Sequence, residues 1–336
     1  MYTHQILIVC LGCILPAQVT SKVTTASTNR AVVNNSGQTI SPGVDITTGT
    51  TITGSSTARC NSSSLRGNTL LTINGGGKEH FSFWSTATAS SGPIFCSSGR
   101  SLSTDADGDV YFDLSSNSGG VDGTLVVTVT YNTIFGWPSF KASVDIGADG
   151  SVEFQPSIPR AGSGRFILAV PLTLSTTPTK TRVTSTLEAS ALSSGSIGNL
   201  WVAASFVATG GTITKRANAC PSGVDLKVSH VEHIPQSAPR TQTVNLRPVS
   251  LPASATACVY AFGGQEWQIP LAPTNCLLRN NAIVLFFVPP SAPGLALNFP
   301  AGTTPITFYA QFAFATKGPG GFDLLHTSDS FLAVLK

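Results

Sequence analysis

Gly123-Thr124-Leu125-Val126-Val127-Thr128-Val129-Thr130-Tyr131 is the stretch that decides the fold class. Leu125, Val127, Val129 and Tyr131 alternate with Thr124, Val126, Thr128 and Thr130. Successive side chains of a strand point to opposite faces, so this pattern turns the first set to a core and the second to water. Working outward, strand-like runs precede it at residues 69–73, 80–84 and 110–114. Others follow at 139–146, 166–174, 200–208, 258–262, 282–288 and 306–314. Turn chemistry punctuates them at Asn74-Gly75-Gly76-Gly77, Asp107-Gly108, Ser118-Gly119-Gly120 and Asp149-Gly150. No helical apolar period lasts three turns; the best short helix candidate is residues 184–192. Strands at this spacing, without helices between them, predict an all-β chain of antiparallel sandwiches.

A length of 336 residues exceeds one small β-domain and suits two. Asn132-Thr133-Ile134-Phe135-Gly136-Trp137-Pro138 carries a glycine and a Trp-Pro step, the composition of a hinge. The expected division is a signal peptide over 1–19, one sandwich over 20–135 and a second over 136–336. Charged residues make up 10% of the chain, against about 25% in ordinary soluble domains. The net charge of +3 is mild and scattered, which argues against a nucleic-acid partner.

Gln5 to Leu15 forms an apolar run of signal-peptide length, too short to span a bilayer, followed by Pro16-Ala17-Gln18. Export to an oxidising compartment follows, and the remaining cysteines read as disulfide partners. Cys60 and Cys96 stand apart from the rest and are expected to pair. Among Cys220, Cys258 and Cys276 one pair forms and one thiol is left over. Proximity along the chain favours Cys258 with Cys276, and the sequence alone leaves that choice open.

Catalytic motifs are missing: there is no Gly-x-Ser-x-Gly elbow, no His-Glu-x-x-His and no phosphate-binding glycine loop. The expectation is a protein that is not an enzyme, with no cofactor and no metal. Asp105-Ala106-Asp107-Gly108-Asp109, with Asp113 beyond, clusters carboxylates, but its glycine is misplaced for an EF-hand and an acidic turn is the plainer account. His230 and His233 flank Glu232; on a strand the two imidazoles face opposite ways, which is poor for one metal. Trp84, Trp137, Trp201 and Trp267 are of the type that stacks on sugars, although in sandwiches most such rings lie in cores or interfaces.

Two segments carry a resemblance. The first is Gly119 to Tyr131 with its continuation Ser143 to Phe154; the second is Ile306 to Phe314, then Gly318-Pro319-Gly320-Gly321 and Ser330 to Leu335. They resemble, respectively, the closing strand of an immunoglobulin-like fimbrial domain with the opening hairpin of the next domain, and the last two strands of a pilin. That order is similar to the two-domain tip adhesins of chaperone–usher pili, the class 5 pilus biogenesis initiators. The sequence departs from the family at Leu335-Lys336, where an aromatic is usual. It also departs at Thr128, Val129 and Thr130, where some members carry basic receptor-contacting residues.

The resemblance implies two immunoglobulin-like sandwiches, the second pilin-like and lacking its final strand. It implies a fimbrial tip subunit that mediates adhesion and initiates pilus assembly by donor-strand complementation. Ile306, Phe308, Phe312, Phe331, Ala333 and Leu335 would line the groove that accepts the strand. The partners would be a periplasmic pilus chaperone, an outer-membrane usher, the major pilin subunit and a host glycan or other surface receptor. The route would lead through the periplasm to the extracellular fimbrial tip. The rival expectation is a self-assembling coat or capsid-type β-protein; a secreted carbohydrate-active enzyme is the third.

Overall fold

The computed structural model describes residues 19–33, 36–39, 51–60, 63–74, 82–91, 102–117, 120–191, 197–207, 213–217, 220, 224–271, 274, 276–299, 306–318 and 323–335, with side chains mainly from Asp109 onward. Among the described residues every regular element is a strand. In the first third these are β1 (Val19–Val33), β2 (Ser36–Thr39), β3 (Thr51–Cys60), β4 (Ser63–Asn74), β5 (Ser82–Ser91) and β6 (Leu102–Ser116). The middle holds β7 (Val121–Phe135), β8 (Ser139–Ile146), β9 (Ser163–Leu174), β10 (Thr179–Ala191), β11 (Ile197–Val207) and β12 (Ile213–Ala217). Then come β13 (Asp225–Pro235), β14 (Thr241–Val249), β15 (Ala255–Gly263), β16 (Ile269–Leu271) and β17 (Cys276–Leu278). The last are β18 (Val284–Val288), β19 (Leu295–Phe299), β20 (Ile306–Lys317) and β21 (Asp323–Leu335).

A five-stranded sheet has the order β2-β1-β6-β10-β8, and a nine-stranded sheet the order β19-β14-β13-β9-β7-β11-β5-β4-β3. A third sheet has the order β12-β21-β20-β15-β18, and β16 and β17 form a small hairpin. The described part of the chain is therefore all-β, with several sheets, consistent with the β-sandwich class. The deciding alternation holds in β7: Leu125, Val127, Val129 and Tyr131 are buried. Thr124, expected at the surface, is buried as well.

Apolar side chains gather into two cores. The first joins Phe112, Leu114, Val144, Val183 and Leu187 of the five-stranded sheet to Leu125, Val127, Leu168, Leu200 and Phe206 of the nine-stranded one. The second joins Leu226, Val228, Val244 and Leu246 at the other end of the nine-stranded sheet to Tyr260, Phe312, Phe314 and Phe331 of the third sheet. The nine-stranded sheet runs through both.

Several expectations change. Of residues 184–192, the best short helix candidate, those described (184–191) belong to strand β10, which pairs with β6 on one side and β8 on the other. Val183 and Leu187 bury against the core while two ladders hold the backbone, and this pairing overrides a weak local preference. Asp107-Gly108, expected as a turn, lies inside β6, with Asp107 opposite Thr186 and Gly108 opposite Ser185. The expected boundary at 135/136 falls at the end of β7, before β8. β7 is a central strand whose two edges need partners, and it finds them in the later β9 and β11. The two cores divide after Phe206 and before Ile213.

The cysteine expectation is also corrected. Cys220 bonds to Cys276, and Cys258 is the buried free thiol. Cys258 sits in the middle of the third sheet, in the second core, where β15 pairs with β18 and β20, and burial raises its pKa. Sequence proximity misled because Cys220 comes close through the fold: its N–H donates to the Thr327 carbonyl of β21. Cys96 and the segment before Val19 lie outside the described residues, and with them the Cys60–Cys96 pair and the signal peptide.

Candidate functional site

β9 is paired with β7 along its whole length, from Val121 opposite Leu174 to Asn132 opposite Ser163. Its other edge meets β13 only from Gly164 to Ala169. Beyond Ala169 and His230 the two strands part. Residues 225–229 of β13 keep β14 on their far side but, among the described residues, pair with no strand on the near side. The nine-stranded sheet thus opens as a fork between residues 170–174 and 225–229. Pro171 sits in the β9 edge. A proline has no N–H to give a ladder, so it fits an edge that faces no partner.

A cavity of about 650 Å³ lies at this fork, a volume within the range of ordinary ligand sites. Ile146, Val170, Leu172, Leu226, Val228 and Phe331 contribute its apolar wall. β12 and β21 supply the remaining wall through Ile213, Lys215 and Asp329. The polar rim is largely self-compensated. Lys227 Nζ donates to Glu153 Oε1 at 2.6 Å, and the Ile146 N–H donates to Glu153 Oε2 at 2.6 Å. Lys215 Nζ lies 3.0 Å from Asp329 Oδ2, and Thr173 Oγ1 donates to Asp122 Oδ1 at 2.6 Å. Arg247 adds an exposed cation opposite Lys227 in the β13–β14 register. Two bare strand edges, an apolar wall and a neutral rim suit an extended chain segment: main-chain groups bind the edges and alternate side chains fill the wall.

Of the residues expected to line a groove, Phe312, Phe331, Ala333 and Leu335 are buried in the second core, and Ile306 and Phe308 are partly buried. They sit on neighbouring strands, with Ile306 opposite Leu335 and Phe308 opposite Ala333. The outer edge of β21 is occupied from Ser330 to Ala333 by the chain's own β12. Only Phe331 of the six reaches the cavity.

The other candidates separate. Asp105 and Asp107 lie in β6, while Asp109 accepts two hydrogen bonds from Arg182, Nε to Oδ1 at 3.0 Å and Nη2 to Oδ2 at 2.8 Å. His230 Nε2 lies 3.1 Å from Gln242 Oε1, whereas His233 stacks on Phe166 at 4.0 Å and reaches the Tyr131 hydroxyl at 3.1 Å. Burial lowers both imidazole pKa values. Among the described residues no three metal-ligating side chains come together. Trp137, Trp201 and Trp267 are exposed rather than buried. Sequence reasoning missed the fork and its residues Glu153, Leu172 and Lys227; the signal that marks it is Pro171 inside an otherwise apolar strand. No protein-family model, curated protein or solved structure matches the chain.

Proposed function

We propose that the chain is a non-enzymatic, exported subunit of the fimbrial tip-adhesin kind, which accepts an extended strand from a neighbour and presents its first core region to a receptor. The observation that carries this is the fork between β9 and β13, with its unpaired edges and apolar wall. A strand added there would use main-chain hydrogen bonds for affinity and side-chain pockets for selection. The accepting place then differs from the β20–β21 groove implied by the resemblance, because β12 already lies along that edge. A pilus chaperone would hold the fork open during export, and the neighbouring pilin would fill it afterwards. On the receptor side, exposed Trp137 and Trp201 provide flat rings with an apolar body and a polar N–H, a surface suited to a host glycan.

The test is periplasmic expression with and without a fimbrial chaperone, reading the yield of soluble, protease-resistant protein. Yield should depend on the chaperone and be restored by a donor strand fused to the chain. Leu172→Arg in the fork should abolish that rescue. Full folding with neither chaperone nor donor overturns the reading.

A further inference from the structure

Edge strands leave a row of N–H and C=O groups open to pairing, and proteins usually guard them with charge, proline or a cover. Five of the six edges of the three larger sheets among the described residues carry polar or charged residues, or lie partly buried. β12 carries Lys215 and Arg216, β8 carries Lys141 and Asp145, β3 carries Arg59, and β2 is Ser-Gly-Gln-Thr. β19 holds Asn298 and is half-buried. The sixth, β18, is Val284-Leu285-Phe286-Phe287-Val288, with no polar side chain at all. It is hydrogen-bonded to β15 on one side, from Cys258 opposite Val288 to Phe262 opposite Val284, and among the described residues to no strand on the other. Phe287 is 76% exposed and the adjoining Ile283 67%, and Val284, Leu285 and Phe286 are exposed too.

The surroundings say what covers this edge. From Asn280 to Thr316 the sequence contains no Asp, Glu, Lys, Arg or His, so β18 and the segments flanking it in the chain carry no charge for a charged partner to answer. A neutral edge is complementary to itself. Aromatic side chains present roughly 150–250 Å² each when bare and aliphatic ones somewhat less, so these five, which are only partly exposed, offer on the order of 600 Å². Two copies together would bury at most about 1,200 Å², the lower end of specific protein–protein interfaces. Pro289 and Pro290 close the strand on one side and Ala282, at φ 45°, turns the chain on the other. The pairing edge is therefore short and cannot slide far.

We propose that β18 pairs antiparallel with β18 of a second copy, about a two-fold axis at Phe286, joining two third sheets into one ten-stranded sheet. Phe286 would face its own counterpart, and Leu285 would face Phe287 of the partner. Because the contact is isologous it consumes both edges and closes at a dimer. The fork plays no part in it, so the inference stands apart from the strand-accepting function.

The experiment is sedimentation velocity on the full chain across the micromolar range, with Leu285→Lys and Phe287→Lys as separate variants and Ile134→Lys, an exposed apolar site elsewhere, as control. The expected result is a concentration-dependent dimer, weakened at least tenfold by either β18 lysine and unchanged by Ile134→Lys. Phe286→Cys should cross-link two copies on oxidation, far faster than Ile283→Cys. A monomer at every concentration overturns the proposal. So does a dimer indifferent to both lysines, or open-ended polymer growth.

Discussion

The two cores hang on one sheet but are closed by different means. The first is enclosed by long ladders: β6 and β7 each run 15 residues, and β10 runs 13. Its backbone groups are satisfied by regular pairing. The second is closed by strands as short as the five residues of β18 and β19 and by the irregular segment around β16 and β17. There, buried side-chain amides replace the missing ladder. Asn280 Nδ2 donates to the Ala261 carbonyl at 3.0 Å, and Gln311 Nε2 to the Ser328 carbonyl at 2.9 Å. The Arg279 N–H donates to Gln311 Oε1 at 2.7 Å. Buried main-chain groups need partners wherever the chain leaves a sheet, and polar side chains supply them at the cost of exact placement. The Cys220–Cys276 bond then ties this irregular segment to the rest.

The most severe way to break the comparison is to hollow each core in turn. Phe206 and Phe312 are both fully buried, the latter 5.0 Å from the Tyr260 ring and 6.2 Å from the Phe314 ring. Phe→Ala at either site should cost about 3–5 kcal/mol. Calorimetry should resolve two transitions, with Phe206→Ala lowering one and Phe312→Ala the other. A single peak shifted equally by both would mean that the cores melt as one unit and that the contrast has no energetic content.

Removing the disulfide comes next. The bond closes a loop with a sequence separation of 56, for which chain entropy gives about 4 kcal/mol at most, and such bonds commonly deliver about 2–4. Replacing Cys220 and Cys276 together by Ser should lower only the transition that Phe312→Ala lowers. The first core has no part in this bond, so an equal loss there would join the two regions energetically.

A third prediction bears on the seam where β13 of the second core meets β9 of the first. His233 stacks on Phe166 there, and His230 lies buried opposite Ala169. Burial lowers both pKa values from 6.5, although Gln242 and Glu232 pull His230 back up. Well above the unfolded value of 6.5, from about pH 7.5, neither the folded nor the unfolded chain holds an appreciable proton at these rings, and they leave stability unchanged. As pH falls through 6.5 the unfolded chain takes up protons that the folded chain refuses, so stability declines until the folded rings titrate as well. Denaturant midpoints should therefore drop between pH 7 and 5. His233→Phe, which keeps the stack, should make that drop shallower. An unchanged slope would remove His233 from the account.

The layout explains what could be read from the residues alone. β7 was legible because one face is buried and period-two alternation survives in Leu125, Val127, Val129 and Tyr131. β10 was not, because its Thr, Ser and Ala residues have weak preferences and the two flanking ladders decide the matter. The disulfide partner of Cys276 was set by where Cys220 lies against β21, a long-range fact. The fork is longer-range still: it exists because β9 and β13, some sixty residues apart, pair for only part of their length. Pro171 recorded it locally, since a proline within a strand argues for an open edge. Thr124 records it too: it pairs with Pro171 and lines the cavity, and is buried despite its hydroxyl.

The smallest expected effect concerns the first core's outer face. Arg182 donates two hydrogen bonds to Asp109 and lies over the Tyr111 ring with its guanidinium carbon 5.2 Å from the centroid. The arrangement ties β10 to β6 at a point where Thr184, not Arg182, is the register partner of Asp109. It is therefore a diagonal brace across a ladder that is already complete. Both side chains are partly open to water, so screening and the entropy of holding a long side chain offset most of the attraction. Arg182→Lys would keep the charge but lose the two-pronged geometry and most of the stacking. Arg182→Ala should cost no more than about 1 kcal/mol and Arg182→Lys about half of that, both shrinking in high salt. A loss of several kcal/mol in the transition that Phe206→Ala lowers would mean that the long ladders of the first core depend on side-chain braces as the second core does. The distinction between the two regions would then fail at its own foundation.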